Sequence, residues 1–180
     1  MNRLNNIFQD PGCYWITGLS ASGKTTIATK LTSLIRDNSS PVMQLDGDEL
    51  RSIFRDIAYT KRERYLLAQK YSKLCQLIVN NKINVVIGVI GMFREIHDWN
   101  RKNITNYNEI FLNTPMDELK RRDPKNIYKK AEKGEIKNVA GLDMGVEFPI
   151  KPDVQIDWEN FQTEDETFHE IIKALQRLKN

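Results

Sequence analysis

At 180 residues with 40% hydrophobic side chains, the chain is sized for one packed domain over 1–180, since single cores split only above roughly 250 to 300 residues. Its 27 basic and 24 acidic residues, a formal charge of +3, are interspersed, which argues against a nucleic-acid partner and suits an anionic small molecule. Cys13 and Cys75 lack metal-ligand spacing, and the longest apolar stretch, Ile83 to Phe93, is too short to cross a bilayer of about 30 Å; with no signal-peptide pattern, a cytoplasmic protein without a membrane partner is expected.

Cys13 to Thr17 reads as a buried strand, introduced by Pro11 and Gly12 and ended by Gly18. Ile27, Leu31, Leu34 and Ile35 then fall at helical spacing, and Asn38 to Pro41 stops that helix. A second strand, Val42 to Leu45, runs into the acidic turn Asp46, Gly47, Asp48, with a helix start over Glu49 to Phe54. Lys61 to Asn80 is helical; it either packs on the sheet or pairs with a second copy of the chain. Ile83 to Ile90 is nearly unbroken in β-branched residues, the signature of a parallel strand covered on both faces. Glu109 to Leu112 and Val154 to Ile156 supply two more strands, and Thr163 to Leu178 a closing amphipathic helix. Between the last two strands, Arg121 to Pro149 is polar and rich in lysine and glycine, a candidate mobile lid. The alternation predicts a three-layer α/β fold: a parallel sheet with helices on both faces and a site beyond the carboxyl ends of its strands.

Gly18, Leu19, Ser20, Ala21, Ser22, Gly23, Lys24 and Thr25 satisfy the P-loop pattern, between a strand and a helix as it requires. Glycines let backbone N–H groups wrap a phosphate, and the helix N-terminus adds a favourable dipole. Lys24 is then expected on the β and γ phosphates of ATP, Thr25 on Mg²⁺, and Thr26 at the edge of the ATP site. Asp46 and Asp48 sit at the same sheet edge. Asp46 is assigned to the metal and Asp48 to the proton of an acceptor hydroxyl, which makes the chain a P-loop kinase with Lys24, Asp46 and Asp48 as its catalytic set. A GTPase needs Asn-Lys-x-Asp after a strand, whereas Asn81, Lys82, Ile83, Asn84 precedes one and lacks the acid. Arg51, Arg64 and Arg94 are candidate grips for an anionic acceptor. A non-catalytic nucleotide sensor and a kinase of a sugar or shikimate-like acid share these features.

With the P-loop, the turn Leu45, Asp46, Gly47, Asp48, x, x, Arg51, and above all Arg122 to Ala131 with Gly141, Leu142, Asp143, the chain resembles the adenylylsulfate (APS) kinase family from about Cys13 to Asp157. That resemblance implies transfer of phosphate from ATP to the 3'-hydroxyl of a nucleotide. It places Arg122 by the ATP adenine, Lys129 and Lys130 over the phosphates and the acceptor's anhydride end, and Arg64, Tyr59, Phe93 and Val139 around the acceptor. Departures from the family pattern cluster on the acceptor side. Glu49 replaces an Asn, Gly91 and Met92 replace Ser-Pro, Leu67 replaces an Asn, Gln69 and Lys70 replace an Arg pair, and Tyr59 and Val139 replace two base-clamping phenylalanines. An aromatic face is worth roughly 1 to 3 kcal/mol per stacked base, so its loss points to another nucleoside 5'-anhydride. Cytidine 5'-diphosphoramidate, the acceptor of an APS-kinase-like enzyme of bacterial capsule phosphoramidate synthesis, is the expected substrate, with APS itself the alternative.

Overall fold

Side chains along β1 (Cys13–Thr17) alternate between two apolar clusters: Tyr14 and Ile16 enter one, Cys13 and Trp15 the other. A strand buried on both faces requires that pattern. In the computed structural model, which describes residues 7–54, 60–158 and 163–179, β1 lies at the centre of a five-stranded parallel sheet. The elements that follow are α1 (Lys24–Asp37), β2 (Val42–Asp46), α2 (Gly47–Phe54), α3 (Lys61–Asn80), β3 (Asn84–Val89), α4 (Arg94–Asn103), β4 (Tyr107–Asn113), α5 (Met116–Arg122), α6 (Ile127–Glu132), β5 (Val154–Asp157) and α7 (Glu164–Leu178).

The strand order is β2-β3-β1-β4-β5. β1 is in register with β3 from Cys13↔Val85 to Thr17↔Val89, and with β4 from Cys13↔Tyr107 to Thr17↔Phe111. Asp46 is level with Gly88, so the ends of β1, β2 and β3 deliver the P-loop, the acidic pair and the segment from Gly91 to one edge. Ile27, Leu31 and Ile35 of α1 pack with Ile171, Ile172 and Leu175 of α7 over one face; Leu67, Cys75 and Val79 of α3 pack with Ile96 of α4 over the other. Among the described residues no helix is long and apolar enough to cross a membrane.

The expected three-layer architecture is present, and α3 covers the anticipated span, starting from a capping box in which Thr60 and Glu63 exchange hydrogen bonds. Instead of a free turn at 46–48, β2 passes directly into α2, with Asp46 Oδ1 accepting from the Asp48 N–H at 2.8 Å. The stretch 121–149 holds the last turn of α5, all of α6 and a third apolar cluster. In that cluster Leu119, Tyr128, Val139, Ala140 and Met144 pack on Leu19, Met92 and Phe111.

Candidate active site

The P-loop folds back on itself through two close approaches. A Cβ on Gly18 would lie 2.4 Å from Ser22 Oγ and 2.9 Å from the Leu112 carbonyl, so only glycine fits there. Gly23, at φ 94°, is the N-cap of α1 and no side chain caps that helix, so its first-turn N–H groups face the loop without an intrahelical carbonyl. Lys24 Nζ donates to the Leu19 carbonyl at 2.7 Å, inside the loop. Burial lowers its pKa to about 8, against the opposing pull of Asp46; nearby Lys125 and Arg51 add to the lowering.

Thr25 Oγ1 donates to Asp46 Oδ2 at 3.0 Å. A hydroxyl and a carboxylate side by side at the loop's mouth are hard oxygen donors of the kind Mg²⁺ takes, and the residues fit that ion. Among the described residues no three His, Cys, Asp or Glu side chains form a cage, consistent with an ion completed by substrate phosphates. Asp48, two residues on, is paired with Arg51 of its own helix and with Lys125 from the 121–149 segment.

These groups open onto one cleft of about 1690 Å³, well above the roughly 300 to 1000 Å³ typical of a single small ligand and wide enough for two nucleotides. Ser20, Ala21, Gly23, Lys24, Thr25, Thr26, Asp46, Asp48, Arg51, Arg64, Phe93, Arg122 and Val139 all line it, whereas Gly18, Leu19 and Ser22 lie beneath, buried. Arg64 Nη2 donates to the Asn138 carbonyl at 2.9 Å while its Nε is buried without a partner. Burial, then the nearby Arg51, lowers its pKa. Val139 is held by its N–H on Asp143 Oδ1 at 2.5 Å, beside Asn138 N on Oδ2 at 2.7 Å, and those two N–H groups help keep the Asp143 carboxyl below its usual range. Phe93 is buried and meets Tyr65 edge to face at 5.5 Å.

The 121–149 segment sits on the loop. Tyr128 Oη donates to the Ser20 carbonyl at 2.9 Å, and the Arg122 guanidinium lies 3.9 Å from the centroid of the Trp158 ring. Glu147 joins its far end to the cleft wall, accepting from Arg94 N at 3.1 Å and Lys61 Nζ at 3.2 Å.

Three residues expected on the acceptor are not among those lining the cleft: Arg94, Lys129 and Lys130 are exposed. Lys125 and Lys137 line it instead. The reason is local: Asn126 takes φ 54° and starts α6 one residue later, which leaves Lys125 at the lip and turns Lys129 and Lys130 outward. Tyr59 lies outside the described residues. Sequence reasoning also missed Tyr71, whose hydroxyl donates to the Gly47 carbonyl at 3.3 Å, and Trp158; the aromatic character of Trp158 just past a strand was the available signal.

A family model described as adenylylsulphate kinase matches residues 10–157. The chain is 40% identical over 140 residues to a cytidine diphosphoramidate kinase of Campylobacter jejuni, covering 78% of this chain and 82% of that one. It is 34% identical over 167 residues to an adenylyl-sulfate kinase of Rippkaea orientalis, covering 92% and 90%. Among solved structures, the APS kinase of Mycobacterium tuberculosis in complex with AMPPNP and APS superposes with a TM-score of 0.84 at 29% identity, over 93% of this chain and 98% of that one.

Proposed function

Because this chain belongs to the adenylylsulphate kinase family, and is thus an ATP-dependent phosphotransferase, we propose that its acceptor is the 3'-hydroxyl of cytidine 5'-diphosphoramidate. The observation that carries this reading is the 40% identity to a kinase named for that substrate. A physical argument supports it: where the family resemblance expects a second base-clamping phenylalanine, the cleft is lined by the aliphatic Val139, and the loss of one stacking face suits a smaller base than adenine.

In the reaction, Lys24 leaves the Leu19 carbonyl for the β and γ phosphates of ATP, and the free N–H groups at the start of α1 wrap them. Arg122, backed by the Trp158 ring, flanks the adenine. Thr25 and Asp46 would hold Mg²⁺, which supplies charge neutralisation at the phosphates when bound. Asp48 orients the 3'-hydroxyl and takes its proton as that oxygen bonds to the γ phosphorus and ADP departs. It must first exchange a cation, Lys125 or Arg51, for the hydroxyl. Arg64, with an N–H already unpartnered, and Lys137 meet the acceptor's anhydride end. The 121–149 lid opens to admit both substrates and closes to exclude water, which otherwise competes as the acceptor.

The deciding experiment offers purified protein MgATP with cytidine 5'-diphosphoramidate and, separately, APS, and weighs the products. A gain of one phosphoryl group on the cytidine compound, at least tenfold faster than on APS, is the expected result. Preference for APS overturns the acceptor assignment and leaves the Val139 wall without a role in base choice.

A further inference from the structure

We propose that His97, as an imidazolium, is a positioning residue for the acceptor-side wall of the cleft, an inference that rests on the kinase reading above. The wall is the turn between β3 and α4, where Gly91, Met92 and Phe93 line the cleft. Gly91, at φ 45°, presses on the sheet: a Cβ there would lie 2.8 Å from Trp15 Cζ2. Its carbonyl accepts from two donors, Phe93 N at 3.0 Å and His97 Nε2 at 2.9 Å. The His97 backbone N–H reaches the Phe93 carbonyl at 3.1 Å. One residue therefore grips the carbonyls on both sides of Met92.

The second ring nitrogen, Nδ1, faces Glu109 Oε1 of β4 at 3.0 Å, with the two side chains 7% and 3% exposed. Glu109 Oε2 receives Arg101 Nη2 at 3.1 Å, and Arg101 Nη1 is 3.0 Å from Asp153. A carbonyl cannot donate, and a carboxylate held by arginine does not. With both ring nitrogens on acceptors, both must carry protons, which only the imidazolium does. The charges fit as well: the buried Glu109 carboxylate has His97 against one oxygen and Arg101 against the other, while the Arg101–Asp153 pair reaches the surface. The other titratable groups packed here add none. Burial raises the pKa of Tyr107 on β4 and of Cys13 on β1, which keeps both neutral, and Glu95 and Asp98 lie on the exposed face of α4.

The consequence is a wall placed by a charge-assisted hydrogen bond from beneath and so held in register with the acceptor. Two measurements test this. In ¹⁵N-labelled wild-type protein at about pH 7.5, where an ordinary histidine is mostly neutral, NMR should show both His97 ring nitrogens protonated; a bare ring nitrogen overturns the proposal. In steady-state kinetics, His97→Gln keeps an N–H donor for the Gly91 carbonyl and loses the charge. It should raise the acceptor KM roughly tenfold, the scale of one lost charge-assisted bond, with the ATP KM unchanged, while His97→Arg restores the acceptor KM to within about threefold of wild type. An unchanged acceptor KM in His97→Gln, or equal rises in both KM values, overturns the positioning role. Wild-type protein that turns over neither nucleotide sinks the acceptor reading alone, because the NMR measurement decides the state of the ring without it.

Discussion

Lys24 carries the most exacting electrostatics of any residue in the loop. Its folded pKa is about 8 against 10.5 for the free side chain, so the unfolded chain binds more protons between those values, and the nucleotide-free fold gains stability as pH rises through them. A polyphosphate reverses the balance by favouring the charged amine. ATP binding is therefore expected to take up a proton above about pH 8, with affinity falling as pH climbs. Titration calorimetry in two buffers of different ionisation enthalpy measures this directly, and identical heats in the two would refute it. Asp48 makes a complementary prediction. Asp48→Asn keeps the shape and removes the base, so kcat should fall about 10² to 10⁴-fold with the ATP KM little changed. Retention of full turnover would assign the base elsewhere.

At the scale of elements, the fit of the proposed 121–149 lid on the P-loop depends on Gly141, which has φ 83° and whose added Cβ would meet Leu19 Cδ1 at 2.7 Å. Gly141→Ala is expected to lift the lid, costing roughly 1 to 2 kcal/mol in docking and raising ATP hydrolysis measured without acceptor. An unaltered hydrolysis rate would show that the contact does not seal the site. The same segment shows where sequence reading stops. Strand, loop and helix around Gly18 to Thr25 were legible because each signal is local: an apolar run, a glycine spacing, a helical period. The cationic lip was not, because whether Lys125 or Lys129 faces the cleft depends on the left-handed turn at Asn126. Helix α4 escaped too. Its sequence is largely polar, with only Ile96, His97 and Asn100 buried, too few for a period to emerge, and the partnership of His97 with Glu109 exists only once α4 lies on β4.

For the molecule as a whole, charge is concentrated where it acts. The chain is only +3, yet among the described residues the cleft gathers six cations, Lys24, Arg51, Arg64, Arg122, Lys125 and Lys137, against four acids, Asp46, Asp48, Glu49 and Glu164. A basic funnel steers anionic substrates, and salt screens it over about 10 Å at 0.1 M. The kcat/KM for the acceptor should thus fall several-fold between roughly 0.05 and 0.5 M monovalent salt while kcat holds nearly constant. A salt-insensitive kcat/KM would mean that capture relies on short-range contacts alone.

The order β2-β3-β1-β4-β5 also divides the site by lifetime. Thr25 follows the central strand, which is hydrogen-bonded on both sides, whereas Asp46 ends β2, which among the described residues is an edge strand paired with β3 alone. Amide protons of β1 should exchange with deuterium only through global unfolding, and those of β2 through cheaper local opening. Nucleotide that bridges Thr25 and Asp46 would slow exchange across β2 far more than across β1. Bound substrate then serves as the missing neighbour of an edge strand, and the two halves of the ion-facing pair become kinetically one unit only during turnover.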